Sequence, residues 1–363
     1  MARFSIFGVL AAVVLLAAGC GTGEAFKNTA QGAPYEIVVV ADHDVWDSPA
    51  GDSIRTIFSL QVPMVNRQET FFDVLRVLPS GFDRLVTRHR NIMITAIDPT
   101  ASRSSLTVNR DIYARPQIVL SATAPDAQSL AELISFNREN IELALESAEK
   151  DRDVEAAMGH TPPEIAAAIT EKFGFEMSTG PGYTVRSESE DFLWLSYETP
   201  ASSQGIVIYS YPFSGVKDFE TEPLLARRNE FVARIPGENP GSHMTSNPEF
   251  TSLLYKMIGG RAWSELHGFW DVEGDFMGGP YTSFSTLDAA RQRVVAIDFY
   301  VYSPDPRFSQ RNLIRQLEHF IYTVKIDGSS PEWNGDAASS EGGAQPAEAA
   351  EAETPEAEMP AEE

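Results

Sequence analysis

The chain contains one cysteine, Cys20, and it closes an apolar run from Phe4 to Ala18. A chain with a single thiol cannot cross-link itself, so whatever folds after it must be held by packing. The run is fifteen residues long, shorter than the about 20 residues that a permanent transmembrane helix takes. It has the length of a secretory signal core, and Arg3 supplies the positive start. Residues 1–20 therefore read as a signal peptide and stand outside the fold.

Leu15-Leu16-Ala17-Ala18-Gly19-Cys20 leads small residues into the cysteine. That pattern resembles the bacterial lipobox, in which the thiol is lipidated and becomes the first residue of the mature chain. Ala17 stands where leucine is usual, with Leu16 one place earlier. The alternative is a plain signal with a stray cysteine, but the only cysteine falling at the cut favours an anchor on Cys20. One acyl chain holds a protein only marginally; mature bacterial lipoproteins carry three. Gly21 in place of aspartate favours the outer membrane. Glu24 is the only acid nearby, so the acidic tether of surface-exported lipoproteins is missing. The expected place is the periplasmic side of the outer membrane.

Of 363 residues, 21–33 read as a tether and 327–363 as a disordered tail. The tail holds eleven acids and no Lys or Arg, so it accounts for −11 of the net charge of −24 and the rest carries −13. Its Ala, Glu, Pro, Gly and Ser cannot bury enough apolar surface to offset ordering entropy. The acidic balance excludes nucleic acid as a partner, because that requires a basic face. Six lysines against 22 arginines, with many acids, resemble proteins of salty habitats, where ions screen self-repulsion.

Residues 34–158 read as a first α/β domain. Tyr35 to Ala41 is a buried strand, Ser48-Pro49 starts a helix, and Phe71–Val77, Asn91–Ile97 and Gln117–Thr123 are further strands. Ser80 to Asp83 has capping-box form, which predicts a helix through Val86. One long helix is expected from about Pro125, with Leu130, Ile134, Ile141 and Leu145 on its apolar face. Residues 159–326 read as a second, α+β domain. Thr161-Pro162-Pro163-Glu164 opens a helix, and Gly174 closes it. Strands follow at Tyr183–Arg186, Phe192–Tyr197, Gly205–Tyr211, Arg261–Val272, Tyr281–Thr286 and Val294–Tyr302. Helices are expected at Pro223–Ala233 and after Ser309. The class is α+β: two sandwich-like halves with helices on one face of each sheet, the second mostly antiparallel.

Several segments carry a resemblance. They are Tyr35–Val40, Val45-Trp46-Asp47-Ser48-Pro49-Ala50-Gly51, Arg88-His89-Arg90-Asn91-Ile92, Phe192 to Pro200, Ser203 to Pro212, Gly268 to Pro280, and Arg315-Gln316-Leu317-Glu318. In this order they resemble an uncharacterised lipoprotein family of the Bacteroidetes and their relatives, domain of unknown function 4837, across about residues 34–326. The resemblance implies a lipid-anchored envelope protein. It implies no reaction and no cofactor.

Four groups are candidate sites. Asp42-His43-Asp44, with Asp47, ends a strand where α/β ligand sites gather, and carboxylate with imidazole suits a divalent metal. Consecutive strand residues alternate faces, however, so the bland reading is a capped loop. Arg88-His89-Arg90 suits an anion, or else a helix C-terminus. Trp194, Tyr197, Tyr209 and Trp270, with Trp263, Tyr211, Phe276 and Tyr281, suit a glycan or peptide groove, or else core and cross-strand pairs. Glu198, Glu265, Asp271, Glu273 and Asp275 offer a glycosidase pair, against which stands the acidity of the whole chain. Met277-Gly278-Gly279-Pro280 reads as a tight turn. No G-x-S-x-G, H-E-x-x-H, Walker loop or G-x-G-x-x-G occurs, and no catalytic set is assigned. The expectation is a binding or assembly module on a membrane anchor, with an envelope protein or glycan as partner. The alternative is a hydrolase with a metal or carboxylate site near Asp42-His43-Asp44.

Overall fold

Glu36–Val40 (β1) is buried at every position but Glu36, as a β-branched run on a covered sheet should be. The computed structural model describes residues 27–326; the apolar run, Cys20 and the acidic tail lie outside the described residues. After β1 come His43–Trp46 (α1) and Pro49–Phe58 (α2), the latter capped by the Ser48 side chain with proline in its first turn. Strands Asp73–Val77 (β2), Asn91–Ile97 (β3), Ser105–Arg110 (β4) and Ile118–Ala124 (β5) complete a sheet of order β2-β1-β3-β5-β4. All pairs in it are parallel except β4 with β5. Ile37, Val39, Met93 and Leu120 pack beneath α2 and beneath Ala127–Phe136 (α3) and Arg138–His160 (α4). The other face, with Val38, Val40, Ile92 and Val119, is covered by Phe82 and Val86 of the 78–90 loop.

Two local expectations change here. The long helix breaks at Asn137 (φ −94°, ψ 15°), whose side-chain amide donates to Leu133 O at 2.9 Å. The helix expected at 80–86 is two 3₁₀ turns, Pro79–Gly81 and Val86–Arg88. The cap there is Asp83, which accepts from Leu85 N at 2.8 Å and Val86 N at 3.2 Å and restarts the turn.

The second half begins with Pro163–Phe173 (α5), ended by Gly174 at φ 66°. Its strands are Thr184–Glu188 (β6), Phe192–Glu198 (β7), Ser203–Pro212 (β8), His243–Ile258 (β9), Arg261–Glu273 (β10), Gly278–Asp288 (β11) and Arg293–Tyr302 (β12). Thr221–Val232 (α6) lies between β8 and β9, and Gln310–His319 (α7) follows β12. The seven strands form one antiparallel sheet, ordered β9-β10-β11-β12-β8-β7-β6. The fold is mixed α and β, with the second half antiparallel as expected. Strand β9 lacks the alternation that marks a strand, because it is a mostly exposed edge with an irregularity between Asn247 and Thr251. Helices α5 and α7 cover one face through Ile169, Phe173 and Leu317. Helix α6 covers the other through Leu224, Phe231 and Val232, so this sheet is covered on both faces rather than one.

The described residues lie in one compact unit. Between its halves, Glu69 accepts from the backbone N–H of Gln310 (2.8 Å) and Arg311 (3.0 Å), and Arg311 pairs with Asp73 at 2.8 Å.

Candidate functional site

On the α6 face of the second sheet, alternate residues of β7, β10 and β12 bring Trp194, Trp270, Tyr300 and Tyr302 together. Trp194 Nε1 donates to Tyr300 Oη at 2.9 Å, and Trp270 Nε1 donates to Val301 O at 3.1 Å. The Trp270 ring meets Tyr300 edge-on, with centroids 5.5 Å apart. Two glycines make this possible. A Cβ on Gly205 would stand 1.9 Å from the Tyr300 ring, and one on Gly279 would stand 2.0 Å from Val301 O. Gly279 is thus needed for close approach inside β11. The tight turn expected at 277–280 falls earlier instead, with Gly274 at φ 84°.

These aromatics line a cavity of about 290 Å³, with Met244, Met277 and Ile235 among its apolar walls and Glu198, Ser202 and Ser203 at its rim. A second, more polar cavity of about 590 Å³ shares Met277, Tyr302 and Pro304 with the first. Asn66, Arg67, Asp271, Asp275 and Gln310 line it. The two form one groove that runs from the aromatic sheet face to the first half of the chain. Phe276 stands fully exposed at its edge.

Of the four leading aromatic candidates, Trp194 and Trp270 line the groove. Tyr209 is on the same face but lies buried against Phe231, centroids 4.4 Å apart. Tyr197 points to the opposite face and packs against Tyr183. Tyr300 and Tyr302 were missed, although the even positions 296, 298, 300 and 302 of β12 share one face by simple alternation. Glu198, Asp271 and Asp275 border the groove, whereas Glu273 faces His243 at 3.5 Å.

Asp42, His43 and Asp44 do sit at the carboxyl end of β1, with Asp42 as the N-cap of α1 and His43 and Asp44 in its first turn. Asp42 caps α1 by accepting from Val45 N at 2.9 Å. His43 is exposed, 3.6 Å from Asp47. Among the described residues, no group of three or more His, Cys, Asp or Glu side chains is placed to hold a metal ion. Arg88 ends a 3₁₀ turn, Val86–Arg88, rather than an α-helix, and His89 and Arg90 follow it. His89 Nε2 lies 2.6 Å from Glu36 Oε1, and Arg90 pairs with buried Glu149 at 2.8 Å.

A second polar cluster lies between the halves, lining a cavity of about 200 Å³. Thr282 Oγ1 is 3.1 Å from His267 Nδ1, and His267 Nε2 is 3.0 Å from Glu265 Oε1. Hydroxyl, imidazole and carboxylate in series match the order of an activated nucleophile. Here, however, the hydroxyl donates to Glu318 Oε1 at 2.6 Å and is buried. Its proton is directed away from the imidazole, so the arrangement fastens α7 to the sheet. Deeper in the junction, His319 Nδ1 is 2.8 Å from Asp153, and its Nε2 is 3.4 Å from Glu146. Burial disfavours the charged imidazole, but the two carboxylates overcome it and lift its pKa to about 9. Burial likewise opposes charge on Glu146, yet His319, Arg315 and the Tyr35 hydroxyl bring its pKa down to about 2.

Residues 163–323 match the family described as domain of unknown function DUF4837. Residues 30–156 match a different one, domain of unknown function DUF8532. The match is to the family that the resemblance named, over the second half and not the whole of 34–326. No curated protein matches the chain. Among solved structures, the Saccharomyces cerevisiae Ran-binding protein Mog1p is 8% identical and covers 44% of this chain and 94% of its own, with a TM-score of 0.28. A point mutant of Mog1 is 7% identical and covers 42% and 90%, with a TM-score of 0.27. Likeness at that level carries no argument. Among the described residues, no helix is long and apolar enough to cross a membrane.

Proposed function

We propose that this chain, in which a DUF8532 domain at 30–156 precedes a DUF4837 domain at 163–323, is a lipid-anchored binding module of the bacterial cell envelope. Acyl chains on Cys20 hold it at the periplasmic side of the outer membrane, and the aromatic groove takes a segment of an envelope protein. One observation carries the reading: the walls of the 290 Å³ cavity are fixed by the Trp194–Tyr300 and Trp270–Val301 hydrogen bonds. A preorganised apolar pocket with few polar groups is what binding sites look like. Its volume is close to the lower end of small-ligand sites, about 300 Å³, which suits one apolar or aromatic side chain. The polar arm beside it takes the flanking residues, and Glu198, Asp271 and Asp275 favour basic ones.

A glycan is the second reading, favoured by the partly exposed Trp194 indole, a surface on which a sugar ring stacks. The test is a fluorescence titration with short peptides bearing a central Phe or Trp flanked by Lys, alongside a peptidoglycan disaccharide. The peptides are expected to bind, and Trp194→Ala, titrated below its own melting temperature because it also loses the bond to Tyr300, is expected to weaken them at least about tenfold, the loss of roughly 1.4 kcal/mol of contact. Binding of the disaccharide alone would move the assignment to a glycan. Binding indifferent to Trp194→Ala, or no binding by either class, would overturn it.

A further inference from the structure

The chain enters its folded body at one corner, and that corner has unusual chemistry. Asn28 and Thr29 run parallel to Ala114 and Arg115. Gln31 is held on both sides, its N–H donating to Arg88 O at 2.9 Å and its carbonyl accepting from Arg90 N at 2.8 Å. Two loops meet beside this entry, 78–90 and 111–117. Phe82 and Tyr113 touch edge to face at 5.7 Å. The Gln117 amide donates to Thr87 O (2.8 Å) and His89 O (2.7 Å).

These fixed loops present apolar side chains outward. Leu85 is 65% exposed, Ile112 44% and Tyr113 38%. Leu85 stands out because Asp83 caps the turn that carries it. Lys27, Arg84, Arg88 and Arg115 lie on the segments that meet here, as do Asp83 and Asp111, and Arg115 stands 3.6 Å from Asp111. In a chain of net charge −24, a corner with four cations and two acids is a local inversion. Exposed leucine, isoleucine and tyrosine on segments that also carry arginine and lysine match the interfacial region of a bilayer, where apolar groups enter and cations meet phosphate.

The length of chain between Cys20 and this corner points to the occupant. Eight steps separate Cys20 from Asn28, and a fully extended chain covers at most about 3.6 Å per step, so roughly 29 Å. A lipid on Cys20 keeps this corner, more than any other part of the body, within reach of the membrane.

We propose that the 78–90 and 111–117 loops form a membrane-docking face that lies on the leaflet holding Cys20, with Leu85 and Ile112 in the interface and Arg84 and Arg88 at phosphate. The inference rests on the lipid-anchor reading. The full lipidated chain is reconstituted in phosphatidylethanolamine–phosphatidylglycerol vesicles containing brominated lipid. A fluorophore is attached in turn through Leu85→Cys, Ile112→Cys and, as a control, Phe136→Cys, an 89% exposed position at the end of α3. With Cys20 acylated, no other thiol competes for the label. Quenching at positions 85 and 112 is expected to exceed that at 136 at least threefold. Equal quenching at all three overturns the face.

The premise is read separately, from the intact mass and from Cys20→Ser. If that variant leaves the vesicles while position 85 stays unquenched in the lipidated protein, the anchor stands and the face falls. If the chain carries no lipid, the label at position 85 is read in the Cys20→Ser background, where no second thiol exists, and quenching there means that the anchor falls and the face stands. If neither holds, both fall. Both labelled positions are exposed, so a folding failure is not expected; agreement of their melting temperatures with the unlabelled chain checks this.

Discussion

At the scale of single residues, the groove depends on a pair that never touches it. Arg228 of α6 and Asp298 of β12 are both fully buried and bound two to two, Nε to Oδ2 at 2.6 Å and a terminal nitrogen to Oδ1 at 3.1 Å. The remaining guanidinium nitrogen donates to Ser246 Oγ at 2.6 Å, and the group lies over the Tyr281 ring at 3.5 Å. The pair thereby joins α6, β9, β11 and β12 behind the aromatic wall. Removing one member leaves an unpaired charge in a dry site, which costs about 3–5 kcal/mol. Asp298→Ala should therefore lower the unfolding free energy by that amount, read from the fall in the urea midpoint multiplied by the slope m, and Asp298→Leu with Arg228→Met should recover most of it. A double variant no more stable than the single one would show that the geometry, not the lone charge, is what matters.

At the scale of elements, α4 and α7 meet through His319, Asp153 and Glu146, with Tyr35 and Arg315 also facing Glu146. The folded pKa of His319, about 9, lies above its ordinary 6.5. Its contribution to stability is therefore complete below about pH 6.5 and is lost as pH rises through 9. Glu146, brought to about 2 from 4.5, acts in the opposite sense: its contribution is present above about 4.5 and lost as pH falls toward 2. Between pH 6.5 and 9, the wild-type melting temperature should fall toward that of His319→Gln, closing a gap on the order of 3 kcal/mol at most. Parallel profiles across that window would contradict the junction's charge state. This junction was not legible in the sequence, because His319 stands 166 and 173 positions from Asp153 and Glu146 and they look like ordinary acids and a lone histidine. The strands and capped helices were legible, because alternation, Ser48-Pro49 and Gly174 are local signals. Strand β9 was not, since an exposed edge needs no apolar alternation. Trp194 and Trp270 were legible as members of an aromatic set, but choosing them requires knowing which face α6 covers, which excludes Tyr197, and that Phe231 of α6 stacks on Tyr209.

At the scale of the whole molecule, the proposed ligand groove and the proposed membrane-docking corner belong to one compact unit, which the proposed lipid on Cys20 would tether. The second half supplies the groove's aromatic wall, and the first half closes its polar arm with Asn66 and Arg67. Arg67 donates to Ser303 O at 2.9 Å and Phe308 O at 3.0 Å, so ligand binding there is coupled to how the halves meet. The most direct measurement is the set of indole N–H resonances of the full chain, titrated with the Lys-flanked aromatic peptide. Of the five indoles, Trp194 and Trp270 should shift together and saturate with one affinity, while Trp46 and Trp263, which lie away from the groove, and Trp333, outside the described residues, hold still. Shifts confined to Trp46 or Trp263, or none at any indole while the peptide binds, would place the site elsewhere and contradict the account.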